Sequence, residues 1–525
     1  MMQEKIKVTI SKTDEIYWTS NNGIWVRGYV YIDNTYLTGI DFISYLNEKR
    51  HLSLDDIKNT LNALNGLFAF IIINDNKVIA GTDICRSIPI FYSQENNKIH
   101  IATTTKDLLK ETDYSINQGY LKEFTALGFT LRENTLIDNI HQIKSSSILY
   151  NSVDGNIQQE HYYRFIPESY TTATRGETKH QLSSIIESAF DRFLSNLNGQ
   201  QLVIPLSGGY DSRIILAMIR KHNYENVLCY TYGKEASKEA VIAKEIAKRL
   251  NYKWIFIEYA DQIIDGYLSD PKFKDYYQYL SNHSSMFYME EYFSVSYLKE
   301  NNFLQKDCIF IPGHSGDSIS GSHLKNEHTD LNSNNDILNY ILKTHFVYTK
   351  IDDSIKETFL KENINDIPEF GKFYNRYENW NFENRQSRFI VNSCRAYNFY
   401  GYNYMLPLWD KDLVNFFNKL SYEFKLNTDL YTEVLEESFF APMNIMLSKR
   451  LKREKTKSTL GILRTQLKET LLPSSMKTLL MKRYDYIAYK EITDQMRKDA
   501  NTKGVKLKYS THFSSLIIQW YINQL

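Results

Sequence analysis

Two rhythms of apolar and polar positions divide the chain. Up to about residue 165 the apolar positions form short runs, at 7–10, 24–32, 67–73, 77–81, 90–93 and 98–102, with polar turns such as Asn74-Asp75-Asn76 between them. Such runs predict strands. Helical spacing is confined there to 40–47, 54–64 and 116–127, so this half reads as sheets flanked by a few helices. The rhythm then changes: Leu182, Ile185, Ile186, Ala189, Phe190 and Phe193 recur at helical spacing. Apolar runs at 202–206, 227–232, 254–259 and 308–312 follow, alternating with helical segments at 212–221 and 237–250 and a helical zone through residue 299. Strand–helix alternation predicts a parallel, doubly wound sheet. The polar stretch 171–178 separates the rhythms, giving predicted domains of 1–170 and 178–525.

The first strand of the second half ends in Leu206-Ser207-Gly208-Gly209-Tyr210-Asp211-Ser212 and runs into a helix. Two glycines let backbone N–H groups approach an anion, Ser207 and Ser212 add hydroxyls, and the helix N-terminus adds positive dipole. Asp211 would repel a polyphosphate unless a divalent cation lay between them, so it reads as a magnesium ligand. The pattern Ser-Gly-Gly-x-Asp-Ser resembles the pyrophosphate loop of the ATP pyrophosphatases and lacks the Gly-Lys-Ser/Thr ending of a Walker loop. In a doubly wound sheet, ligands bind beyond the carboxyl ends of the strands, which makes the segments after Leu206, Tyr232 and Pro312 neighbours.

The segment after Pro312 reads Gly313-His314-Ser-Gly316-Asp317-Ser-Ile-Ser-Gly321. It resembles the Gly-Glu-Gly-x-Asp-Glu-x-x-x-Gly signature of asparagine synthetases, which implies Asp317 as the second magnesium ligand. His314 stands at the position of the catalytic Glu, a position that varies within the family, and is a candidate general base for the attacking amine. Arg395, Pro407 and Asp410 fit a third family segment, which implies a catalytic part for Arg395; Cys394 and Asn403 stand where acidic residues are usual, and Asp410 reads as a packing residue. Arg453-Glu-Lys455 and Gly461 resemble the Arg-x-Lys and Gly element of the family, whose Lys reaches the α-phosphate, and a fixed ammonium there favours the charge that develops in both chemical steps. The resemblance further implies that Leu206, Tyr232, Pro312 and Gly313 border the adenosine.

In the first half, Leu64-Asn-Gly-Leu-Phe-Ala-Phe70 with Asp75, then Asp83, Pro89 and Tyr92, then Ala102-Thr-Thr-Thr-Lys106 resemble the glutaminase domain of class II amidotransferases, the N-terminal nucleophile hydrolase half of asparagine synthetase B. That family uses an N-terminal cysteine whose own amine is the base. Met2 stands there, the first cysteine is Cys85, and Thr103-Thr104 replace the usual Ser-Glu. The expectation is a glutaminase fold that has lost glutamine hydrolysis and serves as a wall of the other site. The resemblance thus implies an α/β chain: an N-terminal Ntn-hydrolase-like αββα domain, then a doubly wound, ATP pyrophosphatase-type synthetase domain with a helical C-terminal part.

Composition narrows the partners. Lys+Arg and Asp+Glu are both 62, so no net field favours nucleic acid or an anionic membrane. Cys85, Cys229, Cys308 and Cys394 are scattered without a Cys-x-x-Cys pair, against a structural zinc or a disulfide framework, and a reducing cytoplasm fits. No apolar run is long enough to span a bilayer. The expected activity is amide formation from a carboxylate and an amine or ammonia, with ATP and magnesium, through an acyl-adenylate. Small-molecule, saccharide (a uronate) and peptide carboxylates stay open, as does ring closure of the β-lactam synthetase or lasso-peptide cyclase kind. So do a homodimer and a non-catalytic nucleotide-binding relic.

Overall fold

The computed structural model describes residues 5–96, 98–110, 114–152, 154–234, 237–447, 485–508, 510 and 512–525. In the first half two sheets face each other. One has the order Ile6–Thr9, Lys98–Ala102, Phe91–Glu95, His141–Gln142. The other runs Ile157–His161, Ser147–Asn151, Lys77–Thr82, Asn65–Asn74, Ile24–Ile32, Trp18–Asn21, with Thr35–Thr38 also on Ile24–Ile32. The Asn65–Asn74 strand shows why two layers form, because successive side chains alternate between faces. Ala69 and Ile71 enter the core between the sheets with Ile90, Ile99 and Ile101. Phe68, Phe70 and Ile72 point the other way, into a core shared with Phe42, Leu46 and Leu61 of the Gly39–Lys49 and Leu54–Ala63 helices. The predicted αββα arrangement is present.

A capping box on Thr174, with Glu177 reaching back, starts the Arg175–Ser195 helix and the second half. Five parallel strands follow in the spatial order Lys253–Glu258, Val227–Gly233, Leu202–Pro205, Ile309–Phe310, Asn403–Tyr404. The fifth of these, two residues long, begins at Asn403, in the stretch between Arg395 and Asp410 where the sequence predicts no strand. Order along the chain runs one way from Leu202–Pro205 to Lys253–Glu258 and the other way to Ile309–Phe310, so the switch point lies between the Leu202–Pro205 and Ile309–Phe310 strands. A crevice opens at the carboxyl ends of strands at such a point. Helices make up the described chain beyond residue 405.

The halves are locked together by buried polar bonds. Arg27 ion-pairs with Asp14 at 2.7 Å and donates to the Asn398 side chain at 2.6 Å, while the Tyr279 hydroxyl donates to Asp14 at 2.7 Å. Asp410 caps the Lys411–Asn418 helix, accepts from Asn65 Nδ2 at 2.9 Å and ion-pairs with Arg192 at 2.7 Å. It is a packing residue, as read.

Candidate active site

Two loops meet at the switch point. The first, Ser207 to Ser212, leaves the Leu202–Pro205 strand and enters the Tyr210–Lys221 helix. Its turn holds itself together: Ser207 N donates to Ser212 Oγ at 3.1 Å, the two hydroxyls lie 3.1 Å apart, and Gly209 N donates to Ser207 Oγ at 3.1 Å. The Ser207 and Gly209 N–H groups are thus taken up within the turn, with the two hydroxyls beside them at the N-terminus of the Tyr210–Lys221 helix, where an anion is favoured. Arg213, fully buried, donates to Gly208 O at 2.8 Å and to Ile445 O at 3.2 Å, tying the loop to a segment more than 230 residues away in sequence.

The second loop, Gly313 to Asp317, lies directly on the first. A Cβ on Gly313 would sit 2.7 Å from Ser212 N, and one on Gly316 would sit 2.7 Å from Tyr431 Oη and 2.8 Å from Asp211 Oδ1. Only glycine allows this approach. Asp317 N donates to Asp211 Oδ2 at 2.9 Å, and the Tyr431 hydroxyl donates to Asp211 Oδ1 at 3.1 Å. Burial, and next the Asp317 charge, push the Asp211 carboxyl up to about 7. Two carboxylates held this close repel each other, and a dication relieves that repulsion. Among the described residues no group of three or more His, Cys, Asp or Glu is placed to hold a metal, so this pair would hold magnesium together with phosphate oxygens and water, the arrangement magnesium prefers.

Gly313→Ala should therefore cost about 1–3 kcal/mol of overpacking, since the atoms met are backbone and cannot swing away. Magnesium-ATP binding, followed by calorimetry, should weaken at least tenfold; unchanged binding would separate the two loops.

Leu206 is buried and its carbonyl accepts from Thr231 Oγ1 at 2.6 Å. Tyr232, next to last in the neighbouring Val227–Gly233 strand, stacks on Tyr259, ring centroids 5.3 Å apart and nearly parallel. Pro312 is buried and Gly313 half-buried, so Leu206, Tyr232, Pro312 and Gly313 come together around the crevice at the strand ends.

His314 is half-buried, with Nε2 3.1 Å from Ser393 Oγ and Nδ1 3.8 Å from Cys394 Sγ. Burial pushes its pKa down to about 4, so the ring is neutral at physiological pH and one nitrogen carries a lone pair. Cys394 is fully buried, and burial raises its thiol pKa well above the usual thiol range. The cysteine that stands where the family has an acid thus still meets the residue at the catalytic position. Arg395 lies elsewhere: its guanidinium sits over the Tyr279 ring at 4.1 Å, beside the Asp14–Arg27 pair between the halves. Lys455, Arg453 and Gly461 lie outside the described residues.

Tyr431, Arg213 and Ser393 are neighbours of the two loops that sequence reading missed. Tyr431 and Ser393 reach the loops only through the fold, and Arg213, next to Ser212 in the chain, shows its part only in the bond to Ile445 O. The Asp83 motif of the first half has a structural explanation: its carboxylate accepts from Phe68 N at 3.0 Å, Cys85 N at 2.9 Å and Ser87 N at 3.2 Å. Cys85 beside it is fully buried, and burial pushes its thiol pKa well up.

Comparison with known proteins finds a different family model in each half of the chain. A glutamine amidotransferase domain model matches residues 55–163, and an asparagine synthase model matches residues 198–271. Argininosuccinate synthase of Carsonella ruddii (strain PV) is 23% identical over 241 residues, 42% of this chain and 54% of that protein, so the chain spans about half the length of the curated relative it matches. Among solved structures, the NH3-dependent NAD synthetase of Campylobacter jejuni subsp. jejuni NCTC 11168 aligns over 38% of this chain and 99% of its own, at 16% identity and a TM-score of 0.20. The glutamine phosphoribosylpyrophosphate amidotransferase of B. subtilis aligns over 56% and 62%, at 12% identity and a TM-score of 0.19. Both likenesses are loose, and the strand orders and registers above carry the fold by themselves. A match to an amidotransferase domain in the first half and to an asparagine synthase domain in the second makes this chain similar to the asparagine synthetase-like family of fused two-domain proteins.

Proposed function

We propose that this chain is an ATP-dependent carbon–nitrogen ligase that forms amides through an acyl-adenylate and does not hydrolyse glutamine. The observation that carries this reading is the contact of the two loops, which sets the Asp211 carboxylate on the Asp317 N–H beside the Ser207–Ser212 donors. Magnesium held by Asp211 and Asp317 would neutralise polyphosphate charge. In the first step a substrate carboxylate oxygen bonds to the α-phosphorus of ATP and the bond to the bridging oxygen breaks, releasing pyrophosphate. The Ser207 and Ser212 hydroxyls and the loop N–H groups bind the pyrophosphate end. In the second step an amine nitrogen bonds to the acyl carbon, AMP leaves with the C–O electron pair, and the ammonium proton passes to a base. The neutral ring of His314 is suited to accept it.

One feature of the structure supports the loss of glutamine hydrolysis: the first half's described cysteine is buried, with a thiol held protonated, and is no replacement nucleophile. Purified protein incubated with glutamine should release no glutamate at an enzymic rate.

Pyrophosphate exchange into ATP, run against uronates, amino acids and peptides, tests the first step and identifies the acid. Failure of every carboxylate would favour the nucleotide-binding relic. His314→Gln then separates the steps: exchange should persist while amide formation falls on the order of 10²–10⁴-fold, as for loss of a general base. Because the His314 pKa is depressed to about 4, the wild-type rate of amide formation should show no His314 titration between pH 6 and 8. Equal losses in both assays would return His314 to a positioning part.

A further inference from the structure

Three side chains of one irregular helix reach the His314 loop. The helix is π-helical over Asn381–Ile390, tightens to a 3-10 turn over Val391–Cys394 and becomes α-helical over Arg395–Phe399. Such changes of helical pitch are frequent at functional sites. From it Gln386 Oε1 accepts the Ser315 hydroxyl at 2.9 Å. Ser315, next to His314 in the chain, has a φ of 82°, a left-handed conformation that costs energy for a residue with a Cβ and persists where its surroundings hold it. The other two contacts, from Ser393 and Cys394, fall on the two nitrogens of the His314 ring.

The hydrogens of this cluster can be traced from the backbone outward. Ile390 O, a carbonyl, can only accept, so at 2.8 Å it takes the Ser393 hydroxyl hydrogen, the bond a helical serine makes to the carbonyl one turn back. A hydroxyl has one hydrogen. With that hydrogen on Ile390 O, Ser393 Oγ offers only lone pairs to His314 Nε2, 3.1 Å away, and a hydrogen bond there requires the hydrogen on Nε2. The ring is neutral, so Nδ1 holds the lone pair. Its neighbour Cys394 Sγ, 3.8 Å away, is kept protonated by burial and is a weak donor, which suits a lone pair. Both contacts therefore select one tautomer.

We propose that Ser393 is a positioning residue that holds His314 as the Nε2–H tautomer, so that Nδ1 is the nitrogen that receives the amine proton. The assignment rests on the reading of His314 as the base of amide formation. In that step an N–H bond of the adduct's ammonium breaks, its electron pair stays on the amine nitrogen, and an Nδ1–H bond forms. The ring becomes cationic, and its Nε2–H bond to Ser393 Oγ becomes charge-assisted and stronger. The two departures from the family pattern then fit each other. An acid at 394 would draw a hydrogen onto Nδ1 and fill its lone pair, whereas a neutral thiol leaves the lone pair to the amine.

Nitrogen NMR of the histidine-labelled full chain, without nucleotide or magnesium, tests this, with the His314 signals assigned by their loss in His314→Gln. The shift of a ring nitrogen tells whether it carries a hydrogen. At neutral pH the wild type should show Nε2 protonated and Nδ1 bare. Ser393→Ala should draw the two shifts toward each other as the second tautomer gains population, and should slow amide formation about tenfold. Ser393→Thr, which keeps a hydroxyl, should restore both. Should either variant fail to fold, the wild-type spectrum decides alone. A hydrogen on Nδ1 in the wild type, or His314 shifts that Ser393→Ala leaves unchanged, overturns the assignment. Because no reaction enters the spectrum, a chain that adenylates no carboxylate sinks the ligase reading without touching this measurement, and a wild-type Nδ1–H with intact pyrophosphate exchange sinks the tautomer alone.

Discussion

Asp211→Asn is expected to abolish adenylate formation and, in the absence of ligand, to make the protein more stable at neutral pH. The Asp211 carboxyl is pushed from 3.8 up to about 7 in the folded chain by burial and by the Asp317 charge. Below the unfolded value both states hold the proton. Between about 4 and about 7 the unfolded chain releases it and the folded chain keeps it, so stability falls as pH rises, and the loss is complete above the folded value. Asparagine cannot ionise; its one side-chain oxygen can accept from the Asp317 N–H in the place of Oδ2, and its amide nitrogen, in the place of Oδ1, can donate to the Tyr431 hydroxyl oxygen. After solvent screening of this half-buried group the gain should be about 1–2 kcal/mol at pH 8 and near zero at pH 4. Urea unfolding of both proteins at the two pH values measures it. Pyrophosphate exchange by the variant should drop a hundredfold or more, since one of two charges facing a dication and a polyphosphate is gone. A variant that exchanges within a few-fold of wild type would rule out the two-carboxylate site.

Lys425→Met should be the most destabilising single change. The Lys425 ammonium and the Glu378 carboxylate lie 2.5 Å apart, both fully buried, with His323 3.6 Å from the same carboxylate. Burial works to raise the Glu378 pKa, and Lys425 and His323 outweigh it and hold it below the usual carboxylate range. Removing the ammonium strands a buried charge, which costs about 3–5 kcal/mol. Glu378→Leu combined with Lys425→Met should recover most of that loss, because the cost lies in the unpaired partner and not in a large net value of the pair. Equilibrium unfolding of the three variants gives the comparison, and a double variant no better than Lys425→Met would refute it. The sign with pH follows from the depressed Glu378 pKa: this contribution is present above the unfolded value and is lost as pH falls through the folded one.

Several elements were legible without the fold. The apolar runs at 24–32 and 98–102 became the Ile24–Ile32 and Lys98–Ala102 strands, because their alternation matches a sheet buried on at least one face. Short strands escaped notice, as Asn403–Tyr404 shows: two residues carry no periodicity, and the pairing with Ile309–Phe310 alone makes them a strand. Asp211 is read as a ligand because a carboxylate beside a phosphate needs a cation between them, a property of the residue types, whereas Asp317 is read only through its family position. Arg395 was legible only as a family position, and its place on the Tyr279 ring follows from the docking of the two halves.

By itself, then, the sequence determined what each loop could bind: the glycines, hydroxyls and carboxylates of 207–212 and 313–317 hold their chemistry wherever the chain carries them. The tertiary structure alone decided which of those groups act together. The Asp317 N–H on Asp211, Tyr431 on the same carboxylate and Cys394 beside His314 are contacts between residues far apart in the chain. Such contacts exist because parallel strands bring distant loops to one end of a sheet and because apolar burial, which is non-directional, leaves the choice of polar neighbours to the packing.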